Sequence, residues 1–548
     1  MATTLVGCSF QQSSSESKKQ DAPFVWENAN LYFLLTDRFC NGNTENDLNF
    51  ERTLPTAPER GFQGGDFAGI INKLKDGYFT DLGITALWFS PIFEQIHGGV
   101  DEGTGFTYAY HGYWIKDWTK MEPNFGTENE FAEIVDLAHG QGIRVLMDII
   151  INHTGPVTEK DPFYGSDWAR QGPPCTHKDY EGTVPCNLVE NLPDILTESN
   201  EKVALPNWLL EKWEKDGSLQ EQLSSLDTFF KETGYPKSPR FYIIKWLIDF
   251  IKKYGVDGFR IDTAKHTEAS VWAELAKEAK KAFAEWKAAN PEKVLDDNEF
   301  YLTGEVYNYG ISALKNFDNG GVNVNYFDEG DMQSLINFEF KWNAKEMDYE
   351  PLFAKYSSIL NNELADYSVL NYITSHDDGQ PFDKERKRNF EGATKLLLSP
   401  GKSQIYYGDE SIRNLIIKET IGDATLRGFM NWDQLVSNPK IGDDYVLDVY
   451  NHYKKLGNFR KQNPSVGAGV HTTLSKKPFV FKREYSKDNY VNKVVVGLDL
   501  ETGKKTIEVK EVFNDGEILS DYYSGSKVEV KNGKVTIDSD FNIVLLAY

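Results

Sequence analysis

No run of about 18 apolar residues occurs in the chain, so no segment reads as a membrane-spanning helix. Positive charge is short: 59 Lys and Arg face 83 Asp and Glu, a formal charge of −24. A polyanionic partner such as nucleic acid needs basic patches, so this balance argues against one and is compatible with a neutral ligand. Cysteine is scarce as well. Of the four, Cys175 and Cys186 lie close together in CTHKDYEGTVPC, and an exported protein could bridge them. Closing so short a loop contributes at most roughly 2–3 kcal/mol on the entropic account. Cys40 has no obvious partner and reads as a buried free thiol. Internal repeats are absent.

What is present is globular in character: 548 residues, 40% hydrophobic and 14% aromatic, enough for two to four domains. The one biased tract is the polar, Ser-rich SFQQSSSESKKQ, and residues 1–24 read as a tether. Before it, LVGC at 5–8 resembles the end of a bacterial lipoprotein signal, with Cys8 as the lipid-bearing residue, although only MATT precedes it and the usual apolar stretch is missing. From NLYFLL onward, apolar runs alternate with amphipathic helical ones: ITALWFS, IRVLMDIII, VDGFRID, FYLTGEVY, MQSLINFEF, VLNYITS and SQIYYG complete eight strand candidates. Alternation over this length predicts parallel strands with helical crossovers, a (β/α)₈ barrel of TIM type over 25–151 and 206–465. Residues 152–205, rich in Pro, Gly and Asp without a clear period, read as a loop-rich domain inserted after the third strand; 466–548 switch to short alternating strands, an antiparallel β-sandwich.

The stretch GFRIDTAKH at 258–266 is unusual for a core strand. Side chains alternate with period two, so Arg260 and Asp262 share one face. A cation one pleat away keeps a buried carboxylate ionised, either as a structural ion pair or ready for chemistry. Working residues of such barrels gather at the C-terminal strand ends. Here MDIIINH places Asp148, Asn152 and His153 at the end of strand three, TGEVY places Glu305 at strand five, and TSHDD places His376 and Asp377 at strand seven.

These four endings resemble the four signature regions of the α-amylase family (family 13) of glycoside hydrolases. AYHGYWIKDW at 109–118 resembles the stretch before the first region in fungal α-amylases and cyclodextrin glucanotransferases, NLPDI at 191–195 the calcium-bearing motif of the inserted domain, and SQIYYGDE the eighth strand; together these span residues 25 to 435 in order. The resemblance implies Asp262 as nucleophile kept ionised by Arg260, Glu305 as general acid/base with a raised pKa, and Asp377 as the third carboxylate. It further implies substrate contacts from Tyr113, His153, His376, Lys265 and His266, and from Asp423 and Arg427 in GDATLR, with Asp148 as a support. The abundant aromatics, 12 Trp and 28 Tyr, supply faces able to stack on sugar rings, though most are core by default. Ser375 stands where the fourth region often begins with Asn.

Calcium is implied twice: at Asn152, Asp194 and the carbonyl of His266, all hard oxygen donors, and at Asn41, Asn43, Asn46, Asp47, Gly64 and Asp66, as in the N-terminal site of cyclodextrin glucanotransferases. There Asn41 replaces the usual Asp, which removes a charge; an Asn/Gly turn held by its own side chains is the alternative. The expected protein is a monomeric, retaining, endo-acting α-amylase exported to the bacterial periplasm or held at the cell surface as a lipoprotein. Its C-terminal end at a single sandwich favours hydrolysis over the alternative, a transglycosylating or cyclodextrin-acting relative. A non-catalytic glucan- or transporter-binding relative is disfavoured because all three carboxylates are present.

Overall fold

A computed structural model describes residues 22–548; Cys8 and nearly all of the expected tether lie outside the described residues. Eight strands form a closed barrel: β1 (Asn30–Leu34), β2 (Ala86–Phe89), β3 (Arg144–Ile149), β4 (Gly258–Ile261), β5 (Tyr301–Gly304), β6 (Ser334–Asn337), β7 (Ser368–Tyr372) and β8 (Lys402–Tyr406). Each pairs in parallel with its sequence neighbours, and β8 closes on β1. Every residue of these strands is buried. Strands covered on both faces favour near-continuous apolar runs, which made most of them readable from sequence; KSQIY in β8 buries Lys402, Ser403 and Gln404 instead.

Helices α1 (Phe67–Lys75), α2 (Glu128–Gly140), α3 (Asn207–Lys215), α4 (Leu219–Thr233), α5 (Pro239–Tyr254), α6 (Ala269–Ala289), α7 (Tyr349–Asn361), α8 (Asn389–Leu397) and α9 (Val446–Gln462) surround it. Local signals set their ends. Thr127 and Glu130 form a reciprocal capping box at the start of α2. Pro239 opens α5, and Gly255 ends it in the left-handed region at φ 70°, where a Cβ would also come within 2.1 Å of the Trp286 ring.

The sequence reading assigns no element between 206 and 238, yet α3 and α4 fill it. They cover the outer face of α5. Trp246 of α5 is enclosed by Trp213 of α3 together with Trp118 and with Trp168 of the inserted segment, at ring-centroid distances of 6.4, 6.5 and 6.2 Å. This explains why α5 is buried around most of its circumference.

The segment after β3 has little regular structure. Ala169–Arg170 pairs with Asp194–Ile195, and Cys175 is bridged to Cys186. Cys40 is free and half-buried. At the C-terminal end, β9 (Val470–Lys476), β10 (Phe479–Lys487), β11 (Tyr490–Leu498), β12 (Gly503–Glu508), β13 (Ile518–Asp521), β14 (Lys527–Glu529), β15 (Lys534–Ser539) and β16 (Val544–Ala547) form a six-stranded sheet, β9-β10-β11-β16-β13-β14, and a β12-β15 pair. Val495, Leu546, Ile507 and Ile537 belong to the separate core these sheets enclose. Among the described residues no helix is long and apolar enough to cross a membrane.

Candidate active site

The pairing of β4 with β5 sets Arg260 beside Thr303 and Ile261 beside Gly304. One step further in register come Asp262 and Glu305, and the Glu305 amide continues the ladder by donating to the Ile261 carbonyl at 2.8 Å. Neighbouring strands lie roughly 4.8 Å apart, so two carboxylates leave the barrel side by side. On the other flank Arg260 pairs in register with Asp148 of β3.

Arg260 is 1% exposed and serves three carboxylates rather than one. Its Nη1 lies 2.9 Å from Asp148 and 2.7 Å from Asp262, and its Nη2 lies 3.0 Å from Glu305. Asp148 also accepts from the Trp88 indole at 3.0 Å and the Tyr113 hydroxyl at 2.9 Å, so its oxygens turn inward as part of the floor. Thr263 adopts a left-handed backbone at φ 48°. That strained turn aims its amide at Glu305 Oε2, 3.0 Å away.

Burial pushes the Glu305 carboxyl well above the usual carboxylate range; Asp262 and Asp377 add to the shift and Arg260 opposes it. Asp377 moves the other way. Desolvation by the cleft walls pushes it up, although its side chain is itself 32% exposed, but neighbouring His376, Arg260, the Ser375 hydroxyl and Arg427 together outweigh this and hold it low. Ser375 donates to Asp377 Oδ1 at 2.9 Å. Burial drives His376 down to about 4, so the cations that remain near neutral pH are the two arginines.

A cleft of about 660 Å³ opens over these groups. It is bordered by Asp262, Glu305 and Asp377 and by Tyr113, His153, Lys265, His266, His376, Asp423 and Arg427; Arg260 lies beneath. Tyr113 stacks against His376 at 5.1 Å between centroids, forming a platform in the floor. His153 has both ring nitrogens near protein oxygens, Asn152 Oδ1 at 3.1 Å and the Tyr113 carbonyl at 3.3 Å. Asp423 and Arg427 meet at 2.5 Å, and Arg427 Nε donates to the His376 carbonyl at 2.8 Å. Sequence reasoning missed Arg60, which holds the other side of Asp423 at 3.1 Å and donates to the Ile421 carbonyl at 2.7 Å. Its partners are more than 360 positions away, and nothing in ERGFQ marks it. A groove of about 800 Å³ between α9 and the C-terminal strands is larger. Lys455 lies over its Tyr523 and Phe541 rings at 4.6 and 4.1 Å, and Asp262, Glu305 and Asp377 do not border it.

The groups expected to share a cation behind the cleft converge. Asn152 Nδ2 lies 3.1 Å from Asp194 Oδ1 and 2.9 Å from the His266 carbonyl. Turning the Asn152 amide over would bring a third oxygen to that point, the donor set a hard cation takes. Burial raises Asp194 to about 8, although Arg170 lies 2.8 Å away. In the N-terminal loop, Asn41 Oδ1 and Asn46 Oδ1 are buried without a hydrogen-bond partner, and Gly64 packs so tightly that a Cβ would lie 2.6 Å from Asp47 Oδ1. Other members of that set are engaged: Asp66 accepts from the amides of Gly42, Asn43 and Gly69, and Asn43 accepts from Glu45. Among the described residues no cluster of three or more His, Cys, Asp or Glu is arranged around a metal. Any such site therefore depends on amide and carbonyl oxygens.

A closed parallel barrel with three carboxylates converging in a cleft at its C-terminal end defines a barrel-fold hydrolase. Residues 33–429 match the family described as alpha amylase, catalytic domain, and the chain belongs to that family: it is an enzyme, a glycoside hydrolase. It is 36% identical over 527 residues to the periplasmic alpha-amylase of Escherichia coli (strain K12), covering 85% of this chain and 72% of that protein. It is 25% identical to the cyclomaltodextrin glucanotransferase of Thermoanaerobacterium thermosulfurigenes, covering 92% of this chain and 65% of that relative. The crystal structure of an Anoxybacillus alpha-amylase superposes with a TM-score of 0.63 at 23% identity, over 96% of this chain and 99% of that one, and shows the fold.

Proposed function

We propose that the protein is an exported, endo-acting α-amylase that hydrolyses α-1,4-glucosidic bonds in starch, glycogen and maltooligosaccharides with retention of configuration. The observation that carries this is the pairing of Asp262 with Glu305 across adjacent strands, with Arg260 shared between them. Retaining glycosidases need two carboxyl groups on the order of 5 Å apart, one ionised and one protonated. Burial and two nearby carboxylates keep the Glu305 proton on. Asp262, bonded to Arg260, attacks the anomeric carbon while Glu305 protonates the departing oxygen; Glu305 then takes a proton from water as it opens the intermediate. Asp377, held low, binds the ring hydroxyls and steadies the positive charge of the transition state. Tyr113 supplies the platform under the reacting sugar, His153 and His376 its hydroxyl contacts, Asp423 and Arg427 a clamp on the preceding units, and Lys265 and His266 the leaving side.

The Cys175–Cys186 bridge supports export, as does the similarity to a periplasmic relative. Attachment through a lipid on Cys8 belongs to the same proposal. A time course on maltoheptaose and starch tests the activity. Linear products that shorten steadily are expected; cyclic or lengthened products would transfer the assignment to a transglycosylase, and no turnover would reject both.

Calcium is part of the proposal. Asn152, Asp194 and the His266 carbonyl would hold it between the barrel and the inserted segment, with the N-terminal loop as a second, weaker place. It would supply structural cross-linking there. A ligand bound only by the folded state stabilises by RT ln(1 + [L]/Kd), roughly 4 kcal/mol at a thousandfold excess. EDTA is therefore expected to lower the Tm, and Asp194→Ala to remove most of that response. Superimposable melting curves in EDTA and in excess Ca²⁺ would rule the structural metal out.

A further inference from the structure

Part of the wall of the cleft next to Lys265 and His266 is His177, carried on a loop of the inserted segment, residues 175–186, that the Cys175–Cys186 bridge closes. Backbone bonds fix this loop internally. The amides of Thr176 and His177 both donate to the Gly182 carbonyl at 2.9 Å, and the Cys175 amide donates to the Asn187 carbonyl at 2.8 Å. It is also clamped from outside. The turn of the Phe317–Asn319/Val322–Val324 hairpin packs against it so closely that a Cβ on Gly320 would lie 2.2 Å from the Asp179 carbonyl carbon, and Asn319 of the same hairpin donates to the Lys265 carbonyl at 3.0 Å.

Two features of this loop bear on the cleft. The Thr183 carbonyl accepts from His266 Nδ1 at 2.8 Å. That bond puts the proton on Nδ1 and leaves Nε2 as an acceptor. The second feature is His177. It is exposed, borders the cleft, and sets its ring edge-on to His266 at 5.7 Å. Its ring nitrogens have no hydrogen-bond partner among the described residues, and its backbone is held left-handed at φ 55°. A non-glycine residue persists in that region only where the surroundings impose it.

We propose that His177 is a further substrate-positioning residue, hydrogen-bonding the hydroxyls of α-1,4-linked glucosyl units on the leaving side of the cleft, and that the Cys175–Cys186 bridge positions both His177 and, through Thr183, His266. This rests on the α-glucan reading above. A sugar hydroxyl both donates and accepts, and the imidazole offers one atom of each kind. Lying beyond His266, it would meet units past the first leaving-side position, so its contribution depends on substrate length.

The test compares two substrates: maltoheptaose, which fills several leaving-side positions, and a chromogenic maltotrioside whose nitrophenol leaving group fills only the first. Wild-type turnover of both checks the proposed function; the ratio of the two losses in a variant checks His177 alone. His177→Gly removes the imidazole where glycine is unstrained. One lost hydrogen bond predicts a fall of about three- to tenfold in kcat/KM on maltoheptaose, mostly through KM, with less than a twofold change on the maltotrioside. The double variant C175S/C186S is expected to lose at least as much on maltoheptaose and, because His266 is also released from Thr183, to lose on the maltotrioside as well; no loss on maltoheptaose would overturn the role of the bridge. Should the double variant fail to fold, His177→Gly still decides. For His177→Gly, equal losses on the two substrates, or no loss on maltoheptaose, would overturn the proposal.

Discussion

Glu305→Gln is expected to fold normally and to lose at least three orders of magnitude in kcat/KM on starch. Proton donation by a positioned acid contributes on the order of 10²–10⁴, and the same residue acts again as base in the second step. The amide is nearly isosteric, keeps the Thr263 contact and Arg260's company in outline, and carries no transferable proton. The loss should therefore be chemical and not structural. It should also be selective: a substrate with an acidic leaving group needs little protonation, so its first step suffers less. The pH profile gives a second readout. Burial, Asp262 and Asp377 hold the Glu305 proton on past the usual carboxylate range. The active form is the protonated one, so wild-type activity falls as pH rises through that raised pKa. The variant has no proton to lose there, and its residual activity should be flat across the same range. A variant retaining more than a tenth of wild-type activity on starch would remove Glu305 from the mechanism.

The second large effect is predicted for Arg260→Met. This guanidinium touches Asp148, Asp262 and Glu305. Removing one partner of a buried charge pair costs about 3–5 kcal/mol, because the other charge stays buried; here three carboxylates are left. Arg260 is the principal influence holding Asp148 and Glu305 down against burial. Without it both bind protons more tightly, so the alkaline limb moves to higher pH while the maximal rate falls by roughly 10³, which is about 4 kcal/mol. Arg260→Lys should rescue poorly, since an ammonium lacks the planar fork that reaches several oxygens at once. A methionine variant with an unmoved alkaline limb and near-normal rate would show that the shared cation is only structural.

The parts of this molecule that were legible in sequence are those where a local pattern and a global requirement coincide. Most barrel strands, such as Arg144–Ile149, sit inside apolar runs because both of their faces are buried; KSQIY at Lys402–Tyr406 is the exception. Asp262, Glu305 and Asp377 were visible because polar residues at successive strand ends converge in a closed barrel, whatever the loops do. By contrast, α3 and α4 escaped notice because NWLLEKWEK and LQEQLSSLDTFFKET bury only a few side chains each, although Pro206, Gly217 and Gly234 punctuate them. Arg60 and His177 were illegible for another reason. Each lies in an irregular loop, and its meaning comes from partners distant in sequence: Asp423 for one, the cleft beside His266 for the other. The three-way role of Arg260 lay between these cases. Period-two alternation finds its pairing with Asp262, but the contacts to Asp148 and Glu305 need the barrel's register.

The central claim, that Asp262 and Glu305 act as a nucleophile and an acid/base in a double displacement, is most exposed in the configuration of the fresh product. Attack by Asp262 inverts the anomeric centre once, and water directed by Glu305 inverts it again. An inverting enzyme needs its carboxylates about 6.5–9.5 Å apart to admit water, whereas here they follow each other in register on adjacent strands under one guanidinium. Proton NMR of starch or maltoheptaose digestion, read in the first minutes before mutarotation, is predicted to show new reducing ends in the α form. Predominance of the β-anomer at the earliest time points would contradict both role assignments.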